Sequence, residues 1–368
     1  MSTLAATDAR IESIAVSAYK IPTDQPESDG TYTWSSTTLV LVEIEAEGET
    51  GLGYTYSDRS VAQLIVEKLS DVIRGESAFE IPRLSIKLVQ AVRNIGRVGL
   101  AATAISAIDV ALWDLKAKLL CVPLCRLLGN ARPSAEVYGS GGFTSYSDRQ
   151  LQEQLSNWVE QGIDQVKMKV GREPDRDPDR VRAAREAIGD TAGLMVDANG
   201  AYRPKQALAL SQRFAAEGVC WFEEPVSSDD LHILRFLRRR MPAEIEVAAG
   251  EYGYTPQYFR RVLEAQAVDV LQADATRCGG LSGFLQAAAL CDAFHIDLSS
   301  HCAPALHVAA CCAAPHFRHM EYFHDHVRIE QMLFEGFPPL VDGKLVPATD
   351  RPGLGLTFRR ADARKFGL

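Results

Sequence analysis

From about residue 135 to residue 322 the chain repeats one unit, a short apolar segment followed by an amphipathic stretch. The short segments are Glu136–Ser140, Gln165–Val170, Gly193–Asp197, Val219–Glu223, Glu246–Glu251, Val268–Asp274, Asp297–His301 and His319–Tyr322. Stretches with helical periodicity, such as Leu151–Gln161 and Lys205–Glu217, separate them. Eight strand–helix alternations in roughly 190 residues leave two architectures, a closed parallel barrel or a doubly wound open sheet. Eight is the barrel's number.

The first part of the chain reads differently. Ile11–Pro22 and Thr38–Ala46 alternate apolar and polar residues, Gly48 and Gly51 mark a turn, and Leu52–Tyr56 makes a third strand. A polar loop is expected between the first two strands, over Thr23–Thr37. Helical periodicity starts at Val61 and is strongest over Leu100–Leu120, with Pro123 and Gly129 as stop signals just beyond. Strands first and helices after predict a compact α+β domain. After about Asp325 the proline-containing tail carries no ninth unit and is expected to fold back on this first domain.

At 368 residues the chain is long for one core. A net charge of -9 argues against nucleic acid as a partner, because phosphate binding needs concentrated positive charge. Met1–Arg10 lacks the basic start and apolar run of a signal peptide, and no apolar run approaches the roughly 20 residues that span a bilayer. Eight cysteines without a regular framework read as reduced thiols. The expectation is a cytoplasmic protein with no membrane contact.

A parallel barrel carries its active site at the C-terminal strand ends. There the second strand has Lys167 and Lys169, the third ends at Asp197 with Asn199 beyond, the fourth at Glu223 and the fifth at Glu251. The sixth ends at Asp274, the seventh at His301, and the eighth carries Glu321. Any one of these acids could simply cap a helix. Three on consecutive strands repel one another unless a hard dication resolves them, and all-oxygen ligation suits Mg²⁺ or Mn²⁺. Lys167 and Lys169 point the same way on their strand, and crowding of two ammoniums beside a dication should depress their pKa toward that of a base. Asp274 can orient His301 and stabilise its protonated form. The lysines and the dyad should face each other across the metal. That geometry points to removal of a proton alpha to a carboxylate, with Glu321 protonated and donating to the enediolate.

Taken together, Lys167-Met-Lys169, Val-Asp197-Ala-Asn199, Trp-Phe-Glu223-Glu-Pro, Ala-Gly-Glu251, Gln-Ala-Asp274 with Gly279-Gly280, Ser-Ser-His301 and Met-Glu321-Tyr resemble the mandelate racemase subgroup of the enolase superfamily. Ser106-Ala-Ile-Asp-Val-Ala-Leu-Trp-Asp114 resembles the signature that ends that family's capping domain. The resemblance implies an α/β fold, a modified (β/α)7β TIM barrel over 131–325, with an α+β capping domain over 1–130 and a C-terminal segment, 326–368, returning to it. It implies Mg²⁺ on Asp197, Glu223 and Glu251, acid/base roles for Lys169 and His301, and contact of Lys167 with the substrate carboxylate. It also implies a homo-oligomer. Asn199 stands where some sugar-acid dehydratases of the family carry a histidine, which favours members that pair a lysine with a His–Asp dyad.

Among family reactions the reading favours dehydration of a sugar acid to a 2-keto-3-deoxy acid, because two candidate specificity loops, Asp24–Trp34 and Tyr54–Asp58, are rich in hydrogen-bonding side chains. A racemase, epimerase or cycloisomerase is the alternative, and a non-catalytic binding paralogue the third. Asn199 and Glu321 join Lys167 as expected substrate contacts. His324 and His326 are expected in an exposed loop, with the distal pocket as their other place.

Overall fold

A computed structural model describes residues 8–368, so the expectation for Met1–Arg10 falls almost wholly outside it. The N-terminal domain is an antiparallel sheet of β1 (Ser13–Ser28), β2 (Thr33–Ala46) and β3 (Glu49–Tyr56). Helix α1 (Leu100–Leu119) lies against it. The approach is close because β3 offers glycine there. A Cβ on Gly53 would fall 2.2 Å from the Ala107 carbonyl oxygen, and one on Gly51 2.2 Å from that of Ala111. Val40, Val42 and Ile44 of β2 pack with Ile105, Ile108 and Leu112 of α1 to form this domain's core.

Sequence reading missed the length of the first hairpin. The expected polar loop over Thr23–Thr37 is mostly strand. Glu27 pairs with Trp34 and Ser28 with Thr33 after an irregularity between Pro22 and Glu27. Thr, Trp and Tyr fit a strand as well as a loop, and a hydrogen-bonded turn closes the tip. Asp29 Oδ1 accepts from Thr31 N at 2.6 Å and from Tyr32 N at 2.7 Å.

The eight strands expected next are present: β4 (Ala135–Gly141), β5 (Gln165–Lys169), β6 (Gly193–Asp197), β7 (Val219–Glu223), β8 (Glu246–Ala249), β9 (Val270–Ala273), β10 (Asp297–Ser300) and β11 (Phe317–Phe323). They pair in parallel in sequence order, and β11 returns to β4, closing the barrel. Seven helices connect them. Alternation explains the layering. Val166, Met168, Val196, Phe222 and Leu271 face the helices, while Tyr138, Met195, Trp221 and Val270 fill the barrel floor. The inward positions above that floor carry the acids and lysines.

Beyond β11 the chain forms helix α2 (His324–Leu333) rather than the expected loop. It links barrel to cap. Glu330 accepts from Tyr54 Oη at 2.7 Å and from Ala305 N at 3.0 Å, and Asp325 bonds Thr37. The remaining tail pairs Lys344–Leu345 with the start of β4, and Leu368 N donates to Ala18 O at 3.0 Å. The Ser106–Asp114 segment is structural glue. Ser106 Oγ accepts from Gly279 N at 2.8 Å, Asp109 from Ser282 N at 3.0 Å, and Asp114 from Leu52 N at 2.7 Å and Leu354 N at 2.6 Å. Those bonds join cap, barrel and tail.

Candidate active site

The C-terminal strand ends bring the sequence-predicted acids together. Asp197 closes β6, Glu223 closes β7, and Glu251 stands just after β8. One carboxylate oxygen from each lies within 4.8 Å of the others, and all three side chains are buried. Gly250 makes the last placement achievable. Its φ is 144°, and a Cβ there would sit 2.0 Å from the Gln272 carbonyl oxygen. Burial, and after it Asp197, push the Glu223 carboxyl up to about 7. Its Oε1 is buried with no hydrogen-bond partner. An orphaned carboxylate oxygen among three crowded acids fits a hard divalent ion.

The proton-transfer candidates flank this cluster. Lys169 Nζ forms a short ion pair with Asp197. On the other flank His301 Nε2 lies 3.2 Å from Glu251 Oε2, and its Nδ1 lies 2.8 Å from Asp274 Oδ2. The His–Asp dyad thus has the expected form. Burial disfavours the imidazolium, but Cys302, Glu251 and Glu321 around it hold His301 well above its ordinary pKa. Burial also disfavours ionised Asp274, yet the His301 hydrogen bond and charge hold it below its ordinary range.

Three details differ from expectation. The lysines are not depressed by the protein's own groups. Burial and Lys167 lower Lys169, but Asp197, Glu223 and Glu251 outweigh them and raise it. A dication shared by those acids would compete for the same oxygens. Lys167 itself does not line the cavity. It is fully buried beneath it, 2.6 Å from Glu223 Oε2 and 2.8 Å from Glu321 Oε1, so its direct contacts are with acids rather than with the space a substrate would fill. The groups around Glu321 favour its anion over the protonated form expected. Burial opposes this, but Lys167, His301 and Lys169 hold its carboxyl below its ordinary range, and it accepts from Ser140 Oγ at 2.6 Å and Cys302 N at 2.8 Å.

Lys169, Asn199, Glu251, His301 and Glu321 open into one cavity of about 460 Å³ between barrel and cap. The cap hairpin contributes Tyr32, Trp34 and Thr37, and Tyr56 and Ser57 come from the second expected specificity segment. Asn199 has φ 47° and a buried, unpartnered Oδ1. His326 is on the wall, stacked on Tyr56 with ring centroids 3.5 Å apart, and burial pushes it down to about 3, so it is neutral. His324 turns away and pairs with Asp24. Sequence reading missed Arg277 and Cys302. Arg277 lines the cavity, with Nη1 3.2 Å from Glu251 O and Nε 3.6 Å from Asp274 Oδ2. Its place three residues after Asp274 was the available signal. Cys302 Sγ lies 3.3 Å from His301 Nε2, and adjacency to His301 was its only one.

Comparison with known proteins agrees with this fold. Residues 13–129 match the mandelate racemase/muconate lactonizing enzyme N-terminal domain, and residues 150–363 match the enolase C-terminal domain-like family. The chain belongs to the mandelate racemase/muconate lactonizing enzyme family of the enolase superfamily. Within this family it is 33% identical to an L-talarate/galactarate dehydratase of Salmonella typhimurium, over 97% of this chain and 91% of that one. It is 34% identical to a 3,6-anhydro-alpha-L-galactonate cycloisomerase of Streptomyces coelicolor, covering 95% and 97%. The crystal structure of a mandelate racemase/muconate lactonizing enzyme-like protein from Rubrobacter xylanophilus superposes with a TM-score of 0.95, at 52% identity, covering 98% of this chain and all of that one. A racemase from Streptomyces coelicolor, crystallised with bound magnesium, gives 0.92 at 31% identity, covering 97% and 100%.

Proposed function

We propose that this enzyme is a Mg²⁺-dependent hydro-lyase that dehydrates a sugar acid to a 2-keto-3-deoxy acid. The observation that carries the reading is the placement of Lys169 and His301 on opposite flanks of three convergent carboxylates, in one cavity with hydroxyl-rich walls. Asp197, Glu223 and Glu251 would hold the ion, which when bound supplies positive charge to a substrate carboxylate and so acidifies its alpha-proton. A magnesium-bound racemase and a talarate/galactarate dehydratase among the relatives support this choice.

In this reading Lys169 Nζ or His301 Nε2 takes the alpha-proton, and His301, oriented by Asp274, protonates the departing beta-hydroxyl. The alpha C–H and beta C–O bonds break, water leaves, and the enol tautomerises to the keto acid. Glu321, ionised by Lys167, fixes the Cys302 backbone beside His301. Asn199 offers its unpartnered Oδ1 to a substrate hydroxyl. The eight unpaired thiols support a reducing, cytoplasmic setting.

Cycloisomerisation of a sugar-acid derivative is the second reading. It is favoured by the cycloisomerase relative, and it uses the same flanking pair. An acid-sugar panel with Mg²⁺ in D₂O separates the two. Dehydration gives a semicarbazide-reactive keto acid, whereas isomerisation gives deuterium incorporation or changed rotation without loss of water. Lys169→Ala and His301→Asn should each lower kcat by roughly 10²–10⁴-fold, the usual contribution of a general acid or base. Full turnover in either variant would sink both readings.

A further inference from the structure

Beside the wall of the active-site cavity, the irregular outer part of β1 brings another cluster against the start of α2. One ligand atom each from Asp24, Glu27 and His324 lies within 4.8 Å of the others. His324 Nε2 is 2.9 Å from Asp24 Oδ2. Glu27 is fully buried. Its Oε2 accepts from Trp34 Nε1 at 2.7 Å, but its Oε1 has no hydrogen-bond partner. A buried carboxylate oxygen without a donor is costly, and native proteins rarely leave one so. Neighbouring charge relieves it only in part: Arg328 favours the carboxylate, but Asp325 and Asp24 oppose it. Arg328 pairs with Asp325 and donates to Pro22 O, and Asp325 is a further acid nearby.

We propose that Asp24, Glu27 and His324 form a second divalent-metal site, separate from the Asp197–Glu223–Glu251 cluster, that locks the cap hairpin to the barrel. One imidazole and two carboxylates select a first-row transition ion such as Zn²⁺ over Mg²⁺, which prefers oxygen alone. Metal–ligand bonds of about 2.0–2.2 Å put the ligand atoms of a tetrahedral ion roughly 3.4 Å apart, inside the 4.8 Å limit within which these three atoms lie. Two ligands belong to the cap and one to the chain leaving β11, so the ion closes a cross-link between domains. Trp34, held by Glu27, is a wall of the active-site cavity, so the cross-link also fixes that wall.

The test is Zn²⁺ uptake by the full-length protein in excess Mg²⁺, read by equilibrium dialysis with elemental analysis. An Asp197→Asn/Glu223→Gln double variant removes the first cluster and should still bind one Zn²⁺ per chain. His324→Asn, a change at a partly exposed ring that leaves the fold intact, and Glu27→Gln should each lose that ion. His316→Asn, which removes the other His–Asp pair on the surface, should keep it. Hydrogen exchange across residues 20–36 should slow on Zn²⁺ addition in the double variant but not after His324→Asn. No Zn²⁺ in the double variant, or undiminished uptake after His324→Asn, would overturn the site.

Discussion

Residue by residue, the site is a set of charges that satisfy one another in pairs, and the pairing decides protonation. Lys167 is legible as an inward lysine from its strand alternation. That it serves Glu223 and Glu321 rather than the cavity depends on depth along the barrel axis, which spacing in one strand does not report. The same contact reverses the expected state of Glu321. Glu330 shows the opposite balance. Fully buried, with hydrogen bonds only from Tyr54 and the Ala305 amide, its carboxyl is pushed up to about 8 by burial. The folded protein therefore holds a proton that the unfolded chain releases near pH 4.5. Folded-state protons exceed unfolded ones across that window, so stability falls as pH rises from about 4.5 to 8. Glu330→Gln should flatten this slope. At about 1.4 kcal/mol per pH unit, the difference between pH 5 and pH 8 is on the order of a few kcal/mol. Thermal melts of both proteins across that range check it.

At the scale of elements, the hairpin tip and α2 do what the barrel strands cannot, which is to roof the cavity. Gly30 shows how closely the tip seats. A Cβ there would lie 2.6 Å from the Ala198 carbonyl oxygen and 2.7 Å from that of Val170, on the loops that follow Asp197 and Lys169. Gly30→Ala should lift the hairpin off those loops. The expected outcome is a rise in KM of roughly tenfold, equivalent to about 1.4 kcal/mol of lost closure energy, with kcat changed far less. Steady-state kinetics on the substrate found by the panel would check it, and an unchanged KM would contradict the seating. The barrel strands were legible to within two residues at either end because each is an apolar run between helical repeats. The outer hairpin was not, since Thr, Ser and Asp serve a turn or an edge strand equally, and only pairing across Glu27 and Trp34 decides.

For the whole molecule, cap, barrel and tail are joined at points far apart in sequence, among them Asp114 to Leu52 and Leu354, and Glu330 to Tyr54. No helix among the described residues is long and apolar enough to cross a membrane. A divalent ion bound by folded but not unfolded chain stabilises the whole in proportion to occupancy, by about 2.7 kcal/mol at a hundred times its Kd. Mg²⁺ should therefore raise the Tm of the EDTA-treated protein, and Asp197→Asn should abolish that rise. An equal rise in the variant would place the stabilising ion elsewhere.

The sequence alone determined the barrel, the acids on consecutive strands and the opposed lysine and histidine. Strand alternation and strand order are periodic properties written along the chain, and closure converts order into position. Only the tertiary structure decided which lysine reaches the cavity, that the groups around Glu321 favour its anion, and how Asp24, Glu27 and His324 meet. Those outcomes depend on burial depth and on partners some 300 residues apart, and burial sets the free energy of a charge.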